Sequence, residues 1–167
     1  IVCATVLLSV GVAVGQLGWT RAGAPEVSLD VVASHRQIAP EQEVTIAVRM
    51  TVPAGWVLYS PDPGPTALAA RLEATGEGWT VLQTLWPVDH THEAIYGDES
   101  TVNNVYENTV VAYVRLRAPA EARGARPVSV TLHGQICTDT CVPVNVSRDV
   151  AIEISSQLIA NDAFGPS

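Results

Sequence analysis

The sequence predicts an all-β fold: an immunoglobulin-like antiparallel β-sandwich of about eight strands, preceded by an apolar signal or anchor segment. Three observations carry this expectation. From Glu26 onward, apolar residues recur every second position, the period of a strand with one buried and one wet face. Clusters of Pro, Gly and Asp break the alternation at short intervals, as turns do. No twelve-residue window shows an apolar helical stripe with caps.

Five alternating runs rich in β-branched residues are the firmest strands. They are Val27-Ser28-Leu29-Asp30-Val31, Val44-Thr45-Ile46-Ala47-Val48, residues 111–117, Val128-Ser129-Val130-Thr131-Leu132, and Val150-Ala151-Ile152-Glu153-Ile154. Shorter candidates lie at residues 56–60, 68–74 and 79–86. Turn signals separate them at Ala39-Pro40-Glu41, Pro53-Ala54-Gly55, residues 61–65, Gly76-Glu77-Gly78 and residues 123–127. Residues 25–154 therefore read as one sandwich, with a small closed barrel as the alternative architecture. Residues 155–167 read as a short polar tail, free to fray. Two stretches are too long for simple turns: residues 61–66, stiffened by three prolines, and residues 87–108 (PVDHTHEAIYGDESTVNNVYEN), polar and carrying two histidines and several carboxylates. A long connection on a small sandwich is usually functional or mobile.

The first twenty residues hold no ionisable side chain except Cys3, and Arg21 ends the apolar run. This reads as an export signal, with a cut after Gly15 or after Ala24; Pro25 disfavours the second. The charged start of such a segment and an initiator Met are both missing, so the chain reads as beginning inside the apolar stretch. The alternative is an uncleaved anchor at residues 1–24, since about twenty apolar residues span a bilayer. Either way the domain is expected in the periplasm or otherwise exported, where disulfides persist.

Composition removes several classes. Nine basic residues, all arginine, face seventeen acidic ones, for a net charge of −8. That balance lacks the basic footprint of a nucleic-acid binder. With 47% hydrophobic and 16% charged residues, the chain is too apolar to be disordered. Gly76-Glu77-Gly78 has no lysine and no following helix, so it is no phosphate loop. No nucleophile-elbow motif is present.

The informative feature is Cys137-Thr138-Asp139-Thr140-Cys141-Val142-Pro143. A three-residue turn at Thr138-Asp139-Thr140 would set the cysteines opposite each other across a hairpin, within the usual bridging range. As a staple the pair is poor: closing a loop of about five residues yields roughly 2 kcal/mol, against nearly 5 for a loop of about 100. Accessible short bridges are more often labile and catalytic. From these residues alone a redox switch, an inert staple and a metal site all stay open. For the last, His133 shares the four-residue spacing, and His90 or His92 could complete a soft copper or zinc set.

Several separated motifs resemble one family, the N-terminal periplasmic domain of DsbD-type thiol:disulfide interchange proteins. Residues 53–59 followed by Pro61-Asp62-Pro63-Gly64 resemble its "GWHIYxxNPG" stretch. Trp86-Pro87 followed by Tyr96-Gly97 resembles its segment between "WP" and "YG". Cys137 to Pro143 is similar to its "CxDxCxP" active-site hairpin, the most specific of the three. The resemblance runs from about Val27 to Ile154.

It implies an immunoglobulin-like domain whose reversible disulfide carries reducing equivalents, a protein-disulfide reductase-type activity. Cys137 and Cys141 would be the redox pair. Glu93, Ile95, Tyr96 and Gly97 would form the shielding cap, and Trp56, Tyr59 and Asp139 would support the site. The partners implied are a membrane electron donor of DsbD type and thioredoxin-fold proteins, including those of cytochrome c maturation. No cofactor and no metal is implied, and no membrane contact beyond the N-terminal segment. Two departures stand out. The cysteines are closer together than in the best-studied members, and the shielding aromatic aligns with Ile95 while Tyr96 is kept. No transmembrane bundle or thioredoxin-like domain is read after Ile154, so the electrons are expected from a separate protein, or the chain is a fragment of a longer one. Asp139 and the net charge should raise the thiol pKa values of the reduced pair. The rival readings are an exported interaction module with a purely structural disulfide and a copper-handling protein.

Overall fold

Alternating Val, Ile and Leu turn every second side chain inward, and the strands they form close into two sheets. The computed structural model describes residues 25–64, 67–96 and 99–165; the expected signal or anchor at residues 1–24 lies outside them. Twelve strands occur among the described residues, and no helix. They are β1 (Ser28–Ala33), β2 (His35–Ile38), β3 (Glu43–Thr51), β4 (Val57–Tyr59), β5 (Arg71–Thr75), β6 (Thr80–Leu85), β7 (His90–Tyr96), β8 (Glu99–Tyr106), β9 (Thr109–Arg117), β10 (Gly124–Cys137), β11 (Cys141–Ile154) and β12 (Ile159–Ala160).

The smaller sheet runs β1-β3-β9-β6, and the larger runs β12-β2-β11-β10-β4-β8-β7 with β5 added to β10. Pairing is antiparallel except for β2 against β11. Ile46, Val48 and Met50 from one sheet meet Leu132, Ile136 and Ile152 from the other, all fully buried. Each such side chain contributes about 1.5–3 kcal/mol by leaving water. The sandwich is therefore the one expected.

Four strands exceed the sequence expectation of about eight. β1 and β2 are one segment that changes sheet at Ser34, whose amide donates to the Thr45 carbonyl at 2.7 Å. β2 is short and mostly polar, so alternation does not mark it. β7 and β8 form a hairpin from the stretch read as a long connection, pairing from His90↔Val105 to Tyr96↔Glu99. Its outer strand lies at the sheet edge and makes no demand for apolar alternation. The tail is docked instead of frayed as far as it is described. β12 pairs with β2, Gln37 donates to the Ser155 hydroxyl, and Phe164 packs edge-on against Tyr113 with ring centroids 6.3 Å apart.

Candidate functional site

The β10–β11 hairpin keeps strict register from Gly124↔Ile154 to Cys137↔Cys141. Leu132 and Ile136 face the core from β10, so the next odd position, Cys137, points to the outer face of the larger sheet. The three-residue turn is closed by the Thr138 amide donating to the Thr140 carbonyl at 3.0 Å. Across it Cys137 and Cys141 are bonded, with Cα atoms 4.1 Å apart. The two sulfur-bearing residues differ sharply in access. Cys137 is 2% exposed, whereas Cys141, at the start of β11, is exposed.

What buries Cys137 is a small second core on the outer face: Val57, Tyr59 and Val105, with Ala67 against them. β4 sets it up, because Val57 pairs with Cys137 and Tyr59 with Val105. The turn before β4 has Gly55 at φ 79°, and the Trp56 amide donates to the Pro53 carbonyl at 3.0 Å. That is a turn whose third residue needs positive φ, which glycine supplies without strain. The loop after β4 is tied to β8. The Ser60 amide donates to the Asn104 carbonyl at 2.9 Å, the Asn104 amide to the Pro63 carbonyl at 3.1 Å, and Asn104 Nδ2 to the Asp62 carbonyl at 2.8 Å.

Beside the disulfide lies a cleft of about 710 Å³. Trp56, Val57 and Tyr59 from β4 and the turn before it, residues 92–95 of β7, and Cys137, Thr138 and Asp139 line it. The fold thus brings Cys137, Asp139, Trp56, Tyr59, Glu93 and Ile95 to one place, with Cys141 joined through its sulfur. Ile95 lines the cleft and stays 72% exposed. Tyr96 ends β7 opposite Glu99, and Gly97 lies outside the described residues. The segment expected as a cap loop is therefore carried on the β7–β8 hairpin.

Two features escaped the sequence reading. Glu107 and Asn108, from the β8–β9 connection, also line the cleft; only the register of β8 reveals them. The root of the β7–β8 hairpin is anchored by Tyr106. Its hydroxyl donates to the Pro87 carbonyl at 2.8 Å, and its ring stacks on Trp86 with centroids 5.9 Å apart. Burial, aided by the Asp89 charge, pushes the Tyr106 hydroxyl up to about 12.

The metal alternative finds no assembled ligand set. No group of three His, Cys, Asp or Glu side chains among the described residues is disposed to hold an ion. His133 lies four residues before Cys137 on an extended strand, about 13 Å along it, and its Nε2 sits 3.4 Å from Glu73. His92 does line the cleft.

Fold and site together define a class: an immunoglobulin-like β-sandwich with a disulfide across a hairpin tip beside a cleft. Residues 28–151 match the family model described as thiol:disulfide interchange protein DsbD, N-terminal, and the chain belongs to that family. No curated protein matches the chain by sequence. Among solved structures, the N-terminal periplasmic domain of ScsB from Proteus mirabilis is similar over 75% of this chain at 17% identity and a TM-score of 0.56. This chain covers 46% of that one. The Neisseria meningitidis DsbD N-terminal domain in its reduced form is similar over 75% of this chain and 85% of its own, at 15% identity and a TM-score of 0.46.

Proposed function

We propose that the chain is an exported thiol:disulfide exchange domain, working in the periplasm, that passes reducing equivalents through Cys137 and Cys141 to thioredoxin-fold proteins. The observation that carries this reading is a disulfide with one buried and one exposed partner, placed at a cleft in a domain of this family. A staple needs no such asymmetry.

The same asymmetry supports a division of roles between the two cysteines. Exchange requires a thiolate to approach one sulfur of the bridge from behind, so access decides which sulfur is attacked. In the charging direction, a donor thiolate attacks Cys141 Sγ. The Cys137–Cys141 bond breaks, and Cys137 leaves as the thiolate. The donor's second thiolate then attacks its own sulfur in the mixed disulfide and releases Cys141. The domain gains two electrons, the donor closes a disulfide, and solvent supplies the protons. In the discharging direction the Cys141 thiolate attacks an acceptor disulfide, and Cys137 resolves the intermediate. The donor is a membrane protein of DsbD type; the acceptors include thioredoxin-fold proteins of cytochrome c maturation. Glu93, Ile95, Tyr96 and Gly97 act as a cap on the exposed side, with Trp56, Tyr59 and Asp139 supporting the pair.

Trapping tests the assignment. Cys137→Ser leaves the exchanging sulfur without its resolver and should accumulate a mixed disulfide with a purified thioredoxin-fold protein. Cys141→Ser, retaining only the buried thiol, should accumulate at least tenfold less. Equal trapping by both variants, or trapping by neither, contradicts the proposal.

A further inference from the structure

The cleft carries charge of one sign. Glu93, Glu107 and Asp139 are its carboxylates, and no arginine is among its lining residues; the chain has no lysine to add. The three carboxylates come from β7, the β8–β9 connection and the 138–140 turn, so the fold gathers them at the disulfide. Four arginines are committed elsewhere: Arg115 and Arg117 to Glu43, Arg126 to Glu77, and Arg71 to Glu73. Two imidazoles bear on the cleft. His90 Nε2 lies 3.9 Å from Glu107, and His92 lines the cleft; both offset the charge only when protonated. Beside the carboxylates is an apolar strip. Val102 is paired with Glu93 and 58% exposed, and Ile95, two residues along the same strand, is 72% exposed.

The reacting species in exchange is a thiolate, itself an anion. Three carboxylates in the cleft beside the disulfide oppose its approach, and a cation travelling with the thiolate cancels that opposition. Complementary charge raises encounter rates and suppresses wrong partners. We infer that this site selects its exchange partner by charge: it docks a thioredoxin-fold protein whose reactive cysteine is ringed by lysine and arginine around a small apolar contact, and turns away anionic thiols such as acidic peptides. The inference rests on the exchange reading above. It adds the chemistry of the partner's surface and the identity of the three selecting residues.

The test uses the oxidised chain and three small thiols that differ in charge: cysteamine, 2-mercaptoethanol and 3-mercaptopropionate. Reduction rates are expressed per thiolate and compared with those of Glu93→Gln/Glu107→Gln/Asp139→Asn. The variant comparison removes the intrinsic reactivity differences among the thiols. At low ionic strength the cysteamine-to-mercaptopropionate ratio should exceed the variant's by roughly tenfold or more. It should fall towards the variant's ratio in about 1 M salt, where screening acts within about 3 Å. Should the triple variant fold poorly, the salt dependence of the native chain and the single variant Glu93→Gln carry the same test. A ratio unmoved by substitution and by salt overturns the charge inference alone. A disulfide that resists every thiol, dithiothreitol included, overturns the exchange reading and this inference with it.

Discussion

The two hairpins that meet at the disulfide are built on opposite plans. β10–β11 is long, central in its sheet, and plants Val128, Val130, Leu132 and Ile136 in the main core. β7–β8 lies at the sheet edge, polar along most of its length, with Ile95 and Val102 turned to solvent. The disulfide sits on the first, and residues 92–95 of the cleft lining on the second. Chemistry that must hold a bond in place is hung on the hairpin that cannot move without unfolding the core. The wall that a partner would have to pass belongs to the hairpin with the least to lose by shifting.

One residue type separates the two plans most sharply. Ile136→Ala, at a fully buried site beside Cys137, should destabilise the fold by about 2–5 kcal/mol through lost burial and a cavity. Ile95→Ala, on the edge hairpin, should change stability by less than about 0.5 kcal/mol while altering the rate of disulfide reduction. Urea denaturation of both variants checks the contrast; equal losses would erase it. Opening the bridge itself ranks next. Reduction, or Cys137→Ala/Cys141→Ala, should cost only about 2 kcal/mol for so short a loop, leaving a folded domain by circular dichroism.

The anchor at the root of the edge hairpin comes third. Tyr106→Phe keeps the stack on Trp86 but loses the bond to Pro87, worth about 1 kcal/mol. It should also remove an alkaline step. The folded tyrosine is held near 12 by burial and Asp89, above its usual value of about 10. Its contribution is therefore complete below about pH 10 and lost as pH rises towards 12. Native-protein melting followed from pH 9 to 12 should show the decline, and the Phe variant should not.

The smallest effect lies far from both hairpins. Arg115 and Arg117 hold the Glu43 carboxyl below its ordinary value through hydrogen bonds, Arg115 at 2.6 Å and Arg117 at 3.2 Å. Its stabilisation is present above the unfolded carboxyl's range and lost as pH falls through the folded one. The site is exposed, so Glu43→Gln should flatten the acid limb only slightly.

What was legible in the sequence follows the same division. Val44 to Val48 and residues 111–117 alternate because one face is buried, and β3 and β9 form there. The Cys137–Cys141 hairpin was readable because a three-residue turn admits one register. β7 and β8 were not, since His90, Thr91, His92 and Glu93 owe their strand conformation to pairing with β8 rather than to burial. Glu107 and Asn108 were invisible for a related reason. Their place at the cleft depends on where β8 ends beside β4, a long-range register that no local pattern encodes. The exposure difference between Cys137 and Cys141 is likewise tertiary: it comes from Val57, Tyr59 and Val105 closing over one sulfur only.

In the proposed function the Cys137–Cys141 bond is exchanged rather than kept as a staple. The most direct test is the equilibrium reduction potential, measured by titrating the intact domain in dithiothreitol buffers and following the tryptophan fluorescence to which Trp56 in the cleft contributes. A midpoint above about −300 mV, within reach of thioredoxin-type couples, is the predicted result. A midpoint well below about −300 mV, the range of structural disulfides, would contradict it.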